Sequence, residues 1–156
     1  MLVNASKKIE YISNIVENLA LIEAYNFLCC RHKSTEAVKA LLERGADPSI
    51  PDNEKATPLL FAARRGYIEI AGLLLNDPRT DVNYANLAGI TPFHAACASG
   101  ERSLCELLLA HGAELTAKSS NLLTALHFAA FGGNVDVCEL VISTGTRLLV
   151  TILSAM

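Results

Sequence analysis

Hydrophobic and polar positions follow a helical pattern along most of the chain. A short apolar block follows each of Thr57, Thr91 and Thr124, and a second block, with apolar residues three and four positions apart, comes soon after each one. This spacing is typical of helices with one buried face. The pattern therefore predicts successive pairs of short helices separated by polar loops.

Particular residues mark where these helices begin and end. Thr57 and Thr91 are each followed by proline, which favours a helix start because threonine caps the free amides and proline lacks the amide that would need a partner. Each helix is expected to end at a glycine, which tolerates a left-handed backbone. These glycines are Gly66, Gly100 and Gly133 for the first helices and Gly45, Gly112 and Gly145 for the second.

The helix pairs form an internal repeat. Three segments align with each other: TPLLFAARRGYIEIAGLLL from Thr57, TPFHAACASGERSLCELLL from Thr91 and TALHFAAFGGNVDVCELVI from Thr124. Their starts are 34 and 33 residues apart, and one further step back brings the segment from Ala24 into register. The sequence predicts four repeats, at residues 24–56, 57–90, 91–123 and 124–156.

The repeat resembles a known family. Its period, the Thr-Pro step, the Ala-Ala pair, the helix-ending glycines and the Leu-Leu pair are similar to those of the ankyrin repeat, whose signature is T-P-L-H-x-A. The resemblance covers roughly four-fifths of the chain. It implies an all-α ankyrin-repeat solenoid of stacked helix-turn-helix pairs, with β-turn fingers projecting from one side.

The two ends of the chain depart from the repeat. Residues 1–23 match no repeat, and their apolar stripe predicts an N-terminal capping helix, since a solenoid must cover its terminal face. In the finger that leads into repeat four, Leu122 replaces the glycine found at Gly89, so a less regular finger is expected for repeat four. Residues 147–156 either pack back on repeat four as a cap or indicate an array cut from a longer one. Their apolar outer face favours the cut or altered end.

Composition and charge narrow the class of protein. The 156 residues, 51% of them hydrophobic, suffice for one domain. A net charge of −3 with dispersed basic residues argues against nucleic acid as a partner, and no run approaches the roughly eighteen apolar residues of a membrane span, so no membrane insertion is expected. Five cysteines without CxxC spacing or a preceding signal peptide predict reduced thiols and a cytoplasmic or nuclear location.

The histidines and cysteines are predicted to be structural. His94 and His127 share a repeat position that Leu60 holds in another copy, which indicates a scaffold role because a catalytic histidine is needed only once. The family resemblance implies that this histidine braces the turn. The cysteines replace small apolar residues at packing positions, with Cys30 the best placed for reactivity because Arg31 and His32 follow it. We therefore predict no enzyme activity, catalytic residue, metal site or cofactor.

The resemblance implies a partner-binding groove along the first helices and finger tips. Specificity must come from positions that differ between repeats, and these are Arg31, Arg64, Arg65, Leu87, Ile90, Ala98, Ser99, Leu123 and Phe131. The pattern predicts a protein-binding scaffold or adaptor that takes a segment with acidic residues near repeats one and two and apolar anchors near repeats three and four. Alternatively, Arg65 forms an ion pair with Glu69 inside its own repeat.

Two other functions remain open. In one, the chain is the recognition arm of a larger enzyme, channel or effector. In the other, the chain is a substrate, because LLLNDPRTDVN places Leu75 six residues before Asp81 and ends at Asn83, which resembles the pattern recognised by an asparaginyl hydroxylase acting on ankyrin repeats. Without that modification, Asn83 is expected to brace the finger turn.

Overall fold

A computed structural model describes residues 33–155. Within this range the chain forms seven α-helices and no strand. They are α1 (Thr35–Glu43), α2 (Pro58–Arg65), α3 (Ile68–Leu75), α4 (Pro92–Ser99), α5 (Arg102–Ala110), α6 (Ala125–Phe131) and α7 (Val135–Ser154). The capping helix predicted for residues 1–23 lies outside the described residues.

The helices stack in two rows. Helices α2, α4 and α6 contact one another in sequence, and α1, α3, α5 and α7 form the second row behind them. Within each pair, the first and second helices pack against each other across the short turn that joins them. This arrangement confirms the expected all-α solenoid of stacked helix pairs.

The predicted helix starts are present. Thr57 Oγ1 accepts a hydrogen bond from the Leu60 amide at 3.4 Å, and Thr91 Oγ1 accepts one from the His94 amide at 3.3 Å. Pro58 is the first residue of α2, and proline likewise begins α4. Threonine therefore satisfies an amide that the helix leaves free, as the sequence predicts.

One continuous core runs between the rows. Leu59 and Phe93, at equivalent positions of α2 and α4, are both fully buried, and so are Ile70 and Leu104 of α3 and α5. Each repeat buries its apolar face against the next one, so the repeats depend on their neighbours for stability.

Hydrogen bonds between backbones join the fingers into a row. The Leu87 amide donates to the Glu54 carbonyl at 3.0 Å, and the Ser120 amide donates to the Ala88 carbonyl at 3.0 Å. The finger tips of repeats two, three and four are thus held at a fixed spacing, which positions the predicted binding residues on them.

The finger of repeat four is as regular as its neighbour, so the expectation of an irregular finger is wrong. Leu122 has a φ of 61°, close to the 69° of Gly89. The Leu122 amide donates to the Ser119 carbonyl at 2.8 Å, just as the Gly89 amide donates to Asn86 at 2.9 Å. The Leu122 side chain is 73% exposed, so no packing opposes the left-handed backbone.

The prediction that Gly145 ends a helix is wrong, because α7 continues through it to Ser154. After the other two second-helix glycines comes a buried alanine, Ala46 or Ala113, whose amide bonds back to the helix at 3.0 Å. An apolar residue directly after the glycine commonly accompanies that closure. Thr146 stands there in repeat four, and its hydroxyl instead donates to the Ile142 carbonyl at 2.7 Å within the continuing helix.

The second half of α7 does not pack back as a cap, which corrects that alternative for residues 147–156. The large apolar side chains from Leu148 to Leu153 are between 47% and 71% exposed. By length and composition alone, α7 is long and apolar enough to cross a membrane. Its most apolar 18 residues have a mean hydropathy of 1.5, and 17% of that stretch is buried. The sequence shows no uninterrupted apolar run of this length because Glu139 and Arg147 lie within the helix.

Candidate functional site

The first helices and the fingers form an open groove built from two adjoining depressions. One depression is lined by Arg64, Ile90, Ala95, Ala98, Ser99 and Phe128. The other is lined by Leu123, His127, Phe128, Ala130 and Phe131. Phe128 belongs to both, so the depressions form one surface running from α2 across α4 to α6, which we call the groove.

The basic end of the groove carries two exposed guanidinium groups. Arg64 and Arg65 are both exposed, and the Arg64 guanidinium lies 5.6 Å from the centroid of the Phe61 ring. Neither arginine pairs with a carboxylate of the described residues, where the ion pairs are Arg79–Asp77 and Arg102–Glu106. The alternative pairing of Arg65 with Glu69 is therefore wrong in residues 33–155. The Glu69 carboxylate accepts a hydrogen bond from the Thr35 hydroxyl at 3.2 Å instead.

The other end of the groove is apolar. Phe131 is 96% exposed, and Leu123, which lines the same depression, is 38% exposed. Ala98 is exposed in the neighbouring depression, where Ser99 is half-buried and donates its hydroxyl proton to the Ala96 carbonyl at 2.8 Å. A nearly fully exposed phenyl ring beside other apolar side chains is unusual for a surface without a partner.

The structure brings together most of the predicted binding residues. Six of them line the groove: Arg64, Ile90, Ala98, Ser99, Leu123 and Phe131. Arg65 and Leu87 are exposed but line neither depression, and Arg31 lies outside the described residues. Sequence reasoning missed Phe128, which joins the two depressions. Its repeat position holds Phe61, Ala95 and Phe128 in successive copies. That variation in side-chain size is the sequence feature from which a binding position could have been predicted.

His94 is part of the scaffold. Its Nδ1 accepts a hydrogen bond from the Thr91 amide at 3.2 Å, so Nε2 carries the proton and donates to the Ala117 carbonyl at 3.0 Å. Burial lowers the pKa of His94, while the hydrogen bond to Ala117 opposes this shift. His127 receives the same bond, at 3.2 Å, from the Thr124 amide. Both histidines therefore brace a helix start.

Cys97 is not set up as a nucleophile. Cys97 and Cys105 are fully buried, with their Sγ atoms 4.0 Å apart. The hydrogen bond with Cys105, followed by burial, raises the pKa of the Cys97 thiol well above its usual range. A thiolate is the reactive form, so Cys97 stays inert at neutral pH. Cys30 lies outside the described residues, and residues 33–155 contain no group of three His, Cys, Asp or Glu side chains that could hold a metal.

Asn83 ties one repeat to the next. Its Nδ2 donates to the Gly112 carbonyl at 3.0 Å, and its Oδ1 accepts from the Glu114 amide at 2.8 Å. The Asn83 amide also bonds to the Asp81 carboxylate at 2.9 Å. The side chain thus bridges the loop after α3 and the loop after α5.

Similarity to known proteins covers most of the chain. Residues 14–86 and 79–151 match the family of ankyrin repeats in three copies. The chain is 35% identical over 88 residues, 55% of its length, to the nuclear factor NF-kappa-B p105 subunit of Rattus norvegicus. It is 31% identical over 85 residues, 54% of its length, to palmitoyltransferase akr1 of Emericella nidulans, and 33% identical over 78 residues, 49% of its length, to 26S proteasome non-ATPase regulatory subunit 10 of Dictyostelium discoideum.

The matched segments span 9%, 11% and 34% of those three relatives. The chain therefore spans well under half the length of each of these relatives. The match to the family extends over nearly the whole chain, and the helix pairs, capping threonines and stacked fingers all agree with it. The chain belongs to the ankyrin repeat family.

Proposed function

We propose that the groove binds a segment of another protein. Ankyrin repeats are in general non-enzymatic modules for protein–protein interaction, and membership of that family supports this class of function. In the proposal, acidic residues of the segment meet Arg31, Arg64 and Arg65, and its apolar residues enter the depressions around Phe128 and Phe131. The chain then acts as a scaffold or adaptor in the cytoplasm or nucleus, without binding nucleic acid or inserting into a membrane.

The observation that carries this proposal is the exposure of Phe131 at the end of a surface that begins at Arg64, which has no carboxylate partner among residues 33–155. Buried aromatic anchors supply much of the affinity of protein interfaces, and guanidinium groups form paired hydrogen bonds with carboxylates. Ile90, Ala98 and Ser99 lie between these two ends.

The groove is tested by reversing the charge at its basic end and placing a charge at its apolar end. The double variant Arg64→Glu, Phe131→Asp is compared with wild type by crosslinking in the native cell and mass spectrometry of the captured proteins. Both residues are exposed, so circular dichroism should show an unchanged fold. Ile152→Asp is the matched control, since Ile152 is 57% exposed on α7, away from the groove.

We expect the double variant to lose the partners that wild type and Ile152→Asp both capture. A charge buried in an apolar pocket and a carboxylate facing an acidic segment each weaken binding. Equal capture by the folded double variant would show that the groove is not the binding site.

A second candidate is that the chain is the recognition arm of a larger enzyme, channel or effector. The small share of each relative that the chain spans supports this candidate, and one of those relatives is named as a palmitoyltransferase. The intact mass of the native protein tests it. A native mass of 16.7 kDa would contradict it.

A third candidate is hydroxylation of Asn83. The Asn83 amide group is already engaged by the Gly112 carbonyl and the Glu114 amide, which favours a bracing role. Peptide mass spectrometry of Asn83 from native cells decides between them. Added mass of one oxygen on Asn83 supports modification, and an unmodified peptide leaves bracing as its role.

A further inference from the structure

Within residues 33–155, exposed apolar surface is concentrated toward the C-terminal end. Twelve large apolar side chains of the described residues are exposed, and all except Leu87 lie between Leu122 and Leu153. Seven of these belong to α7: Val135, Ile142, Leu148, Leu149, Val150, Ile152 and Leu153. Some of the others line the groove, but those on α7 do not.

The exposed side of α7 has the spacing of a helix-pairing seam. Val135, Glu139, Ile142, Thr146, Leu149 and Leu153 follow one another at alternating steps of four and three residues. All six are exposed, whereas Val137, Leu140 and Val141 on the opposite side are buried against the repeats. Apolar residues in a seven-residue repeat form the contact line between two paired helices. We call these six residues the α7 seam.

The seam continues the packing used inside the solenoid. Glu139 and Ile142 occupy the same repeat positions as Glu106 and Leu109 of α5. In α5, those residues line a crevice whose other wall is formed by Arg147, Leu148 and other residues of α7. The face that α5 turns toward a neighbouring helix is therefore left uncovered on α7 within the described residues.

We infer that the α7 seam pairs with the α7 seam of a second copy of this chain, forming a two-fold symmetric dimer. A seam that is apolar except for Glu139 and Thr146 complements itself, as a two-fold interface requires. The two solenoids then lie on opposite sides of the helix pair, because α7 buries its other face in its own solenoid. The helices run antiparallel, since a parallel pair would place Glu139 directly against its copy.

Insertion into a membrane explains the exposed apolar side chains of α7 less well than pairing with a second copy does. In a spanning helix, Glu139 and Arg147 would both enter the lipid, which is costly for charged side chains. Val137 and Val141 would also have to leave the core in which they are buried. Pairing through the seam requires neither change.

The dimer is tested by sedimentation velocity on the 156-residue chain across a dilution series. Wild type should show a species of twice 16.7 kDa that dissociates on dilution. Leu149→Glu should raise the dimer dissociation constant by about tenfold or more, because symmetry places the new charge in the interface twice. Glu139→Leu should lower it, because it removes the charge already present in the seam.

The matched control is Leu87→Glu. Leu87 is 64% exposed on a finger and Leu149 is 61% exposed on the seam, so the two substitutions perturb folding similarly. The control should dimerise like wild type. A monomeric wild type, or equal weakening by Leu87→Glu and Leu149→Glu, would overturn the proposal. Flotation of a monomeric wild type with phosphatidylcholine vesicles would also overturn it and assign α7 to a lipid surface.

Discussion

Single backbone positions decide how the fingers are built. Lys55, Gly89 and Leu122 each lie two residues before a helix-capping threonine, and their φ values are 57°, 69° and 61°. A side chain at Gly89 would place its Cβ 2.7 Å from the Ser120 amide nitrogen in the next finger. Leu122 faces no such neighbour and is largely exposed. The same conformation thus requires glycine in one finger and tolerates leucine, with strain, in another.

Leu122→Gly should therefore stabilise the protein by about 1 kcal/mol, because a left-handed backbone is costly for leucine and little apolar surface is lost. The free energy of unfolding in urea measures this effect. Leu87→Gly is the control, since Leu87 is a similarly exposed finger leucine outside the left-handed region. Equal effects of the two substitutions would show that strain at Leu122 is not the cause.

His94 should make stability depend on pH. Its pKa is lowered from 6.5 by burial, so the unfolded chain binds a proton more readily than the folded one. The stability that neutral His94 provides is complete above its unfolded pKa and is lost as the pH falls toward the folded pKa.

His94→Leu provides the comparison, because Leu60 fills the same repeat position. At about pH 7 the variant should be less stable by about 1 kcal/mol, since it loses the hydrogen bond to Ala117. The difference in unfolding free energy should shrink as the pH is lowered to about 5, because only wild type loses stability by protonating this site. A difference that stays constant over this range would contradict the lowered pKa.

At the scale of whole helices, the sequence predicts starts better than ends. Threonine and proline act within one turn, so Thr57 and Thr91 mark α2 and α4 correctly. A second helix ends at its glycine where the following residue is buried, as Ala113 is, and continues where that residue is not, as at Thr146. That condition depends on packing between repeats, so the length of α7 could not be predicted from Gly145.

Gly145→Ala tests the continuous α7. Gly145 lies inside the helix, and a Cβ there would meet Leu115 at an ordinary 3.6 Å, so alanine should stabilise the protein by about 0.5–1 kcal/mol. Gly112→Ala is the opposite case, since Gly112 has a φ of 86° and ends its helix. It should destabilise by about 1 kcal/mol. Thermal unfolding of both variants measures the contrast, and destabilisation by both would mean that α7 ends at Gly145.

At the scale of the whole molecule, the stacking of the repeats brings residues that differ between repeats together on one surface. Six of the nine predicted binding residues line the groove because the repeat places equivalent positions side by side. The sequence could not show that Phe128 joins the two depressions, since that depends on how α4 and α6 pack. It also could not show that Leu87 and Arg65 line neither depression.

The groove proposal is tested most directly by site-specific photo-crosslinking in the native cell. A photoreactive residue is introduced at Ala98, in the groove, and in a second protein at Ser103, an exposed residue of similar size on α5. We predict that the Ala98 probe captures a partner protein that the Ser103 probe does not. Capture of the same proteins with equal yield from both positions would contradict the assignment of the groove as the binding site.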